Sequence, residues 1–276
     1  MNFLYWNIQN KDLSNLIAEL VLQFDIDIII LSEVKNISKI KLLKTINADL
    51  ELKFTFQNSP VNDPIILTRY KSDFEWIYDD LGICCRKFNH PLGLDFNLIV
   101  LHLGSKLYQD KDDQVLNSTR VREVIDVVEK KSGHNRTILV GDLNMNPYES
   151  GLVGADGIHA IIDKNIALKE KRTIGGKERY FFYNPMWSHF GYGKSKPLGT
   201  YYYNNSRQVN HYWHIFDQVI IRPQLIKYFD EDNLEVISET KSGSLLNNNG
   251  QPNQIKASDH LPIRLSFNLI RSENVK

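Results

Sequence analysis

The chain has 276 residues, 42% of them hydrophobic and 24% charged, which is ordinary for a globular protein and enough to bury a sizeable core. Its 33 basic and 33 acidic residues cancel, which excludes the overall positive field of a non-specific nucleic-acid coat protein, so a polyanionic partner would have to be met locally. No apolar run is long enough to span a bilayer, and no membrane partner is expected.

Residues 2–9, NFLYWNIQ, alternate as a strand and carry Asn7 inside it. This leaves little room for a signal peptide, and the expectation is a cytoplasmic, microbial protein. Asp12 is expected to cap a helix whose Leu13, Leu16, Ile17, Leu20, Val21 and Phe24 fall on one face. The apolar run 28–31 then delivers Ser32 and Glu33. Residues 51–101 read as short strands separated by turn residues, which implies antiparallel neighbours. Among them lie the only cysteines, Cys84 and Cys85, which alternation sends to opposite sheet faces as buried free thiols, in keeping with a reducing compartment.

The last of these strands delivers His102, and a second helix is expected over residues 118–131 with Val121, Ile125 and Val128 inward. Ile138, Leu139 and Val140 suit a central strand covered on both faces. Gly141 lets the backbone turn or approach something closely before Asp142, Leu143, Asn144 and the turn pair Asn146 and Pro147. Residues 164–179 hold the richest local supply of positive charge, including Lys171 and Arg172, as a solvated loop or a binding segment. Further strands are expected at 199–203, 214–221, 234–239 and 262–267. Asp217 sits inside the second of these, while Asp259 and His260 stand just ahead of the last, after a long polar loop over residues 242–258. With no fixed-period repeat and no linker-like break, the economical arrangement is one α/β domain over residues 1–276, two packed mixed sheets with outer helices. The polar residues of both halves then converge at one edge.

Charge inside strands must be compensated, so a set of polar residues at the ends of apolar runs asks for a common purpose. Carboxylates and amide oxygens without thiolates favour a hard cation, Mg²⁺ or Mn²⁺, over zinc, with Glu33 and Asp259 as the charged ligands. Asp259 next to His260, with Asp217 on another strand, offers an imidazole that a carboxylate orients and holds cationic beside a phosphate. Such a set suits hydrolysis of a phosphoester.

In order, WNIQ, LSEVK, VLHLGS, GDLNMNP, IFDQVII and SDHLPI resemble the motif set of the endonuclease/exonuclease/phosphatase superfamily. That superfamily includes DNase I, apurinic endonucleases, inositol polyphosphate 5-phosphatases and neutral sphingomyelinases. The series runs from position 7 to position 260. The resemblance implies a four-layer α/β sandwich, DNase I-like, and a divalent-metal phosphodiesterase. It implies Glu33 as the direct metal ligand with Asn7 and Asp259 near the ion. Asp142 would activate or position the attacking water, Asn144 would hold a phosphate oxygen, and Asp217 would orient His260, which binds the phosphate. His102 matches the histidine that DNase I-like members carry at this strand end, where it serves as an acid.

Asn146 and Pro147 after GDLN, and the aromatic-rich residues 199–221, are most similar to the nuclease branch, where such a stretch lies against nucleic acid. Tyr201 and Trp213 are then candidates to stack on bases, with Lys171 and Arg172 as phosphate contacts. The partner so implied is nucleic acid, DNA before RNA. Two departures keep DNA against RNA open: Ile215 stands where nuclease relatives commonly have Arg, and Ile8 and Gln9 stand where they have Asn and Gly. A sphingomyelinase- or inositol-phosphatase-like phosphoesterase, or an inactive nucleic-acid-binding scaffold, are the alternative readings.

Overall fold

Strands that end in polar residues make up the centre of two mixed sheets in the computed structural model, which describes residues 1–70, 73–90, 93–190, 197–206 and 208–269. The first sheet runs, in spatial order, β16 (Phe229–Val236), β19 (Ile263–Phe267), β1 (Asn2–Asn7), β2 (Ile28–Ser32), β4 (Ile65–Thr68) and β3 (Thr55–Phe56). The second runs β5 (Phe74–Asp80), β6 (Ile83–Phe88), β7 (Phe96–His102), β8 (Thr137–Asp142), β15 (Asp217–Ile221), β12 (Phe182–Tyr183) and β9 (Ala160–Ile161). Three short pairs lie outside them: β10 (Lys171–Ile174) with β11 (Lys177–Tyr180), β13 (Tyr201–Tyr202) with β14 (Trp213–His214), and β17 (Glu239–Thr240) with β18 (Gly243–Ser244).

Alternation along each strand sorts its side chains between two cores. From β7, β8 and β15, Leu98, Val100, Ile138, Val140, Val219 and Ile221 face the first sheet, where Phe3 of β1 meets Phe96 edge-on with ring centroids 6.2 Å apart. Their neighbours Ile99, Leu101, Leu139 and Ile220 point the other way and pack under Val121, Ile125 and Val128 of α3 (Lys111–Ser132). Cys84 and Cys85 divide between the same two cores as free thiols. On the far face of the first sheet, Arg264 of β19 lies over Phe24 of α1 (Ser14–Phe24), 4.4 Å from the ring centre. The order helix, sheet, sheet, helix is the four-layer α/β sandwich that the resemblance implies. Each fully buried aliphatic side chain contributes about 1.5–3 kcal/mol.

Several elements differ from expectation for local reasons. α1 begins at Ser14 with Leu13 at the N-cap position, while Asp12 accepts from the Ser14 amide at 3.2 Å and pairs with Lys41 of α2 (Lys39–Ile46). The second helix starts seven residues before the expected 118. Asp110 caps it by accepting from the amides of Asp112 and Asp113, and Asp113 answers to the Asp110 amide at 3.1 Å. Its first turns carry no apolar stripe, so periodicity does not see them. α2 is likewise unannounced, although Ser38 caps it. The expected strand 214–221 is broken at Ile215 and Phe216, and residues 51–57 contribute only Thr55–Phe56 to a sheet. The basic stretch 164–179 is not a loop: it forms a short helix at Lys164–Ala167 and the β10–β11 hairpin.

Candidate active site

Strand register brings the polar residues together. β7 and β8 are parallel, with His102 opposite Asp142 at their C-terminal ends. β15 runs antiparallel to β8 and starts with Asp217 opposite Asp142. β1 and β2 are parallel and end with Asn7 opposite Ser32, one residue before Glu33. β19 returns antiparallel beside β1, so the residues just ahead of it, Ser258 to His260, arrive at the same edge. Close packing of β8 on β7 depends on Gly141, where an added Cβ would come 1.8 Å from the Leu101 carbonyl oxygen.

Asn7 is the tie between the sheets. Its side-chain nitrogen donates to Glu33 Oε1 and to Asp142 Oδ2, both at 3.1 Å, while its oxygen accepts from the Gln9 amide at 3.1 Å. It therefore presents nitrogen to the two carboxylates. Glu33 and Asn144 both occupy left-handed backbone conformations, at φ 54° and φ 50°. Such a conformation costs about 1–2 kcal/mol without glycine. The surroundings impose it. The Glu33 carbonyl accepts from the Asn10 amide at 2.7 Å and its amide donates to Asp63 Oδ1 at 2.9 Å. Asn144 donates from its amide to Asp142 Oδ1 and from its side chain to the Leu103 carbonyl, each at 2.9 Å.

His260 is buried, with Nδ1 at 2.8 Å from Asp217 Oδ2 and Nε2 at 3.9 Å from Asp142 Oδ2. Burial alone would lower its pKa, but Asp217 first and Asp142 next outweigh that and raise it to about 10, so the imidazole is a cation at neutral pH. Burial raises the Asp142 carboxyl above its ordinary range, against the pull of the His260 cation. Asp217 is fixed from behind by Thr200, whose Oγ accepts from its amide and from that of Phe216, each at 3.2 Å. Asp259 lies beside this group, its Oδ1 at 3.3 Å from Ser258 Oγ. His102 reaches Asp63 through Nδ1 (3.5 Å) and Glu33 through Nε2 (3.8 Å). Burial opposes its charge, yet Asp63, Asp142 and Glu33 together raise its pKa.

The expected substrate contacts separate. The Tyr201 ring lies 4.6 Å from that of His260 and stacks on Phe216 at 5.4 Å. Trp213 turns the other way. In the β13–β14 pair Tyr201 faces His214 and Tyr202 faces Trp213, so alternation places His214 on the site side and packs Trp213 against the core. Lys171 and Arg172 are not brought to the site at all. Their hairpin leads into β12, whose Tyr183 pairs with Ile221 at the end of β15 remote from Asp217. There Lys171 pairs with Glu178, and Arg172 donates to His159 Nε2 at 3.0 Å. Asp63, Asn10, Thr200, Ser258 and His214 were not read from the sequence. Each is a common polar residue in a turn or short strand, and only the fold distinguishes it.

Asp142, Asp217 and His260 offer ligand atoms that all lie within 4.8 Å of one another. The Asp217 to His260 hydrogen bond pairs one carboxylate of this buried trio with the imidazole, while Glu33 and Asp259 are further oxygen donors of the kind a hydrated hard cation takes. Glu33 is a third exposed at its side chain.

Two packed mixed sheets between helices, with a polar cluster where strand ends of both sheets meet, define a four-layer α/β class of fold. The chain belongs to the endonuclease/exonuclease/phosphatase family, whose model matches residues 4–260. Solved structures of the same fold include a family protein from Leptotrichia buccalis, 15% identical with a TM-score of 0.57, covering 98% of this chain and 100% of that one. An AP endonuclease from Archaeoglobus fulgidus is 12% identical with a TM-score of 0.56, covering 98% and 100%. A 3′ phosphatase, NExo, from Neisseria, bound to a product DNA hairpin, is 13% identical with a TM-score of 0.54, covering 97% and 99%. No curated protein matches the chain in sequence. Among the described residues no helix is long and apolar enough to cross a membrane.

Proposed function

We propose that the chain is a divalent-metal-dependent phosphodiesterase, acting as one domain over residues 1–276, that hydrolyses nucleic acid, DNA in the first instance, by in-line attack of water. The observation that carries the reading is the fixed pair of Asp217 and His260 set against Asp142, a buried cation facing a carboxylate whose pKa is raised. A general base works best when its pKa lies near the working pH, so the upward shift of Asp142 suits it to take a proton from water. His260 is placed to meet the phosphate as charge builds on its oxygens, and Asp217 keeps it oriented and charged. Asn144 adds a neutral donor beside Asp142. His102, with its pKa raised, is a donor for the leaving oxygen.

Glu33 and Asp259 would hold Mg²⁺ or Mn²⁺, with Asn7 keeping Glu33 and Asp142 in register through its side-chain nitrogen. When bound, the ion supplies Lewis-acid polarisation of the phosphate and stabilisation of the leaving oxygen. Tyr201 and its neighbour His214 are placed to contact the substrate. Support for nucleic acid comes from a structural relative bound to a product DNA hairpin and from another that is an AP endonuclease. The two buried free thiols support a cytoplasmic setting.

The test is incubation of the purified protein with labelled plasmid, linear duplex, abasic duplex, single-stranded DNA and RNA, with Mg²⁺ or with chelator. Cleavage that needs metal is expected. Hydrolysis of inositol phosphates or sphingomyelin with every nucleic acid left intact would overturn the substrate assignment.

A further inference from the structure

The edge where the polar residues converge has two sides of different chemistry. Loops of the first sheet carry lysines around Glu33 and Asp259. Lys11 reaches the side-chain oxygen of Gln9 and the carbonyls of Gln254 and Ala257, the last at 3.1 Å and two residues ahead of Asp259. Lys35 follows Glu33 by two residues and is tied through its amide to Asn10 at 3.0 Å. Lys39 donates to Asn62 at 3.3 Å, next to Asp63. Lys256 completes the set from the loop before Asp259. Among the described residues none of these four forms an ion pair, unlike Lys41, Lys106, Lys164 and Lys171.

Loops of the second sheet present rings instead. Tyr201, beside His260, stacks on Tyr203 at 6.4 Å with an interplanar angle of 14°. Tyr148, four residues beyond Asn144, meets His211 at 5.8 Å. Tyr148 and Tyr203 are each 39% exposed, which leaves ring surface for a ligand. Lys106, on this side, is neutralised by Glu149 and lies over the Phe216 ring at 5.2 Å.

A single nucleic-acid strand has the same division, with phosphates along one edge and stackable bases along the other, whereas a duplex turns phosphates outward on both sides and hides its base faces. Resting on the function proposed above, we propose that this edge takes a single strand, its phosphates running along Lys35, Lys39 and Lys256 and its bases lying on Tyr203 and Tyr148.

Fluorescence anisotropy tests this with a labelled single strand of about 15 nucleotides, near the upper end of single-strand site sizes. The DNA strand, the RNA strand of the same sequence and the blunt DNA duplex are compared in chelator, so that nothing is cut. The better of the two single strands is expected to bind at least about ten-fold more tightly than the duplex, and it names the sugar. In Lys35→Gln/Lys39→Gln the slope of log Kd against log salt should fall by about 1.4, two contacts at about 0.7 each on a single strand. Tyr148→Ala/Tyr203→Ala should weaken binding about five-fold or more per ring with the slope kept. Lys171→Gln, at the far end of the sheet, should keep the wild-type slope. A duplex that binds as tightly as both single strands, or an unchanged slope in the double lysine variant, overturns the proposal. Wild-type hydrolysis of bis(p-nitrophenyl) phosphate with Mg²⁺ reports separately on the enzymatic reading, which fails alone if that diester is untouched while the strand still binds.

Discussion

Glu33 illustrates how much a single residue here depends on its neighbours. Its left-handed backbone is held by Asn10 and Asp63, and its carboxylate by Asn7, so the side chain is preorganised before any ion arrives. Replacing it by the isosteric amide removes the charge of the proposed ligand and one of its two acceptors, Oε1 for Asn7 or Oε2 for Asn10. Glu33→Gln should raise the Mg²⁺ concentration for half-maximal activity by about ten-fold or more, with excess metal restoring part of the turnover. A metal titration that superimposes on wild type would remove Glu33 from the ion site. Asp217 poses a different question, because its partner is the buried His260 and its Oδ1 has no hydrogen-bond partner. An amide cannot hold a cationic imidazole in a dry site, so Asp217→Asn should lower kcat by about 100-fold or more while KM changes little. Wild-type kcat in that variant would show that the pairing plays no part in turnover.

At the scale of elements, α3 decides how firmly the second sheet is backed. Its start is set by the Asp110 and Asp113 capping box, and its inward face by Val121, Ile125 and Val128. Asp110→Ala should cost about 1 kcal/mol, the usual worth of an N-cap. Ile125→Ala should cost about 2–5 kcal/mol, because the second core cannot close over the space. Urea unfolding measures both, and equal losses in the two variants would contradict this division between cap and core. α3 also reaches the site, since Gln114 donates to the Asn144 carbonyl at 2.9 Å. The break between β14 and β15 is the other decisive element. Had residues 214–221 run on as one strand, as their apolar pattern suggests, Thr200 could not sit behind both Phe216 and Asp217.

For the whole molecule, histidines other than His102 and His260 set an acid limit. Burial, aided by nearby cations, lowers His134, His159 and His214 each to about 4. Above the ordinary histidine value, near 6.5, these groups are neutral in both folded and unfolded chains and the full stability is present. As pH falls from about 6.5 towards 4 the unfolded chain takes up protons that the folded one refuses, and stability declines. Below about 4 this contribution levels off. His159 shows the cause, since its Nε2 accepts from Arg172 and would lose that bond on protonation. The midpoint of urea unfolding, followed in chelator, should drop between pH 6.5 and pH 4. A midpoint that stays constant across that window would mean that these imidazoles titrate freely in the native state.

The sequence by itself determined the two packed sheets, the family and the residues that ride on strand ends. Asn7, Glu33, His102, Asp142, Asp217 and His260 each interrupt or follow an apolar run, and a period of two residues places such positions without knowledge of the rest. Local pattern could not decide which further side chains would join them. Asp63 comes from a turn before β4, Thr200 from a bend before β13, and Asn10 from a loop whose left-handed backbone no periodicity records. Nor could it separate Lys171 from Lys35, or Trp213 from His214. Lys171 and Lys35 carry the same charge and Trp213 and His214 are both aromatic neighbours in the chain, and what distinguishes them is the end of the sheet and the face of the strand on which they fall. Those are settled by register between strands distant in the chain, such as Tyr183 with Ile221 and Tyr201 with His214, and register is a property of the packed molecule.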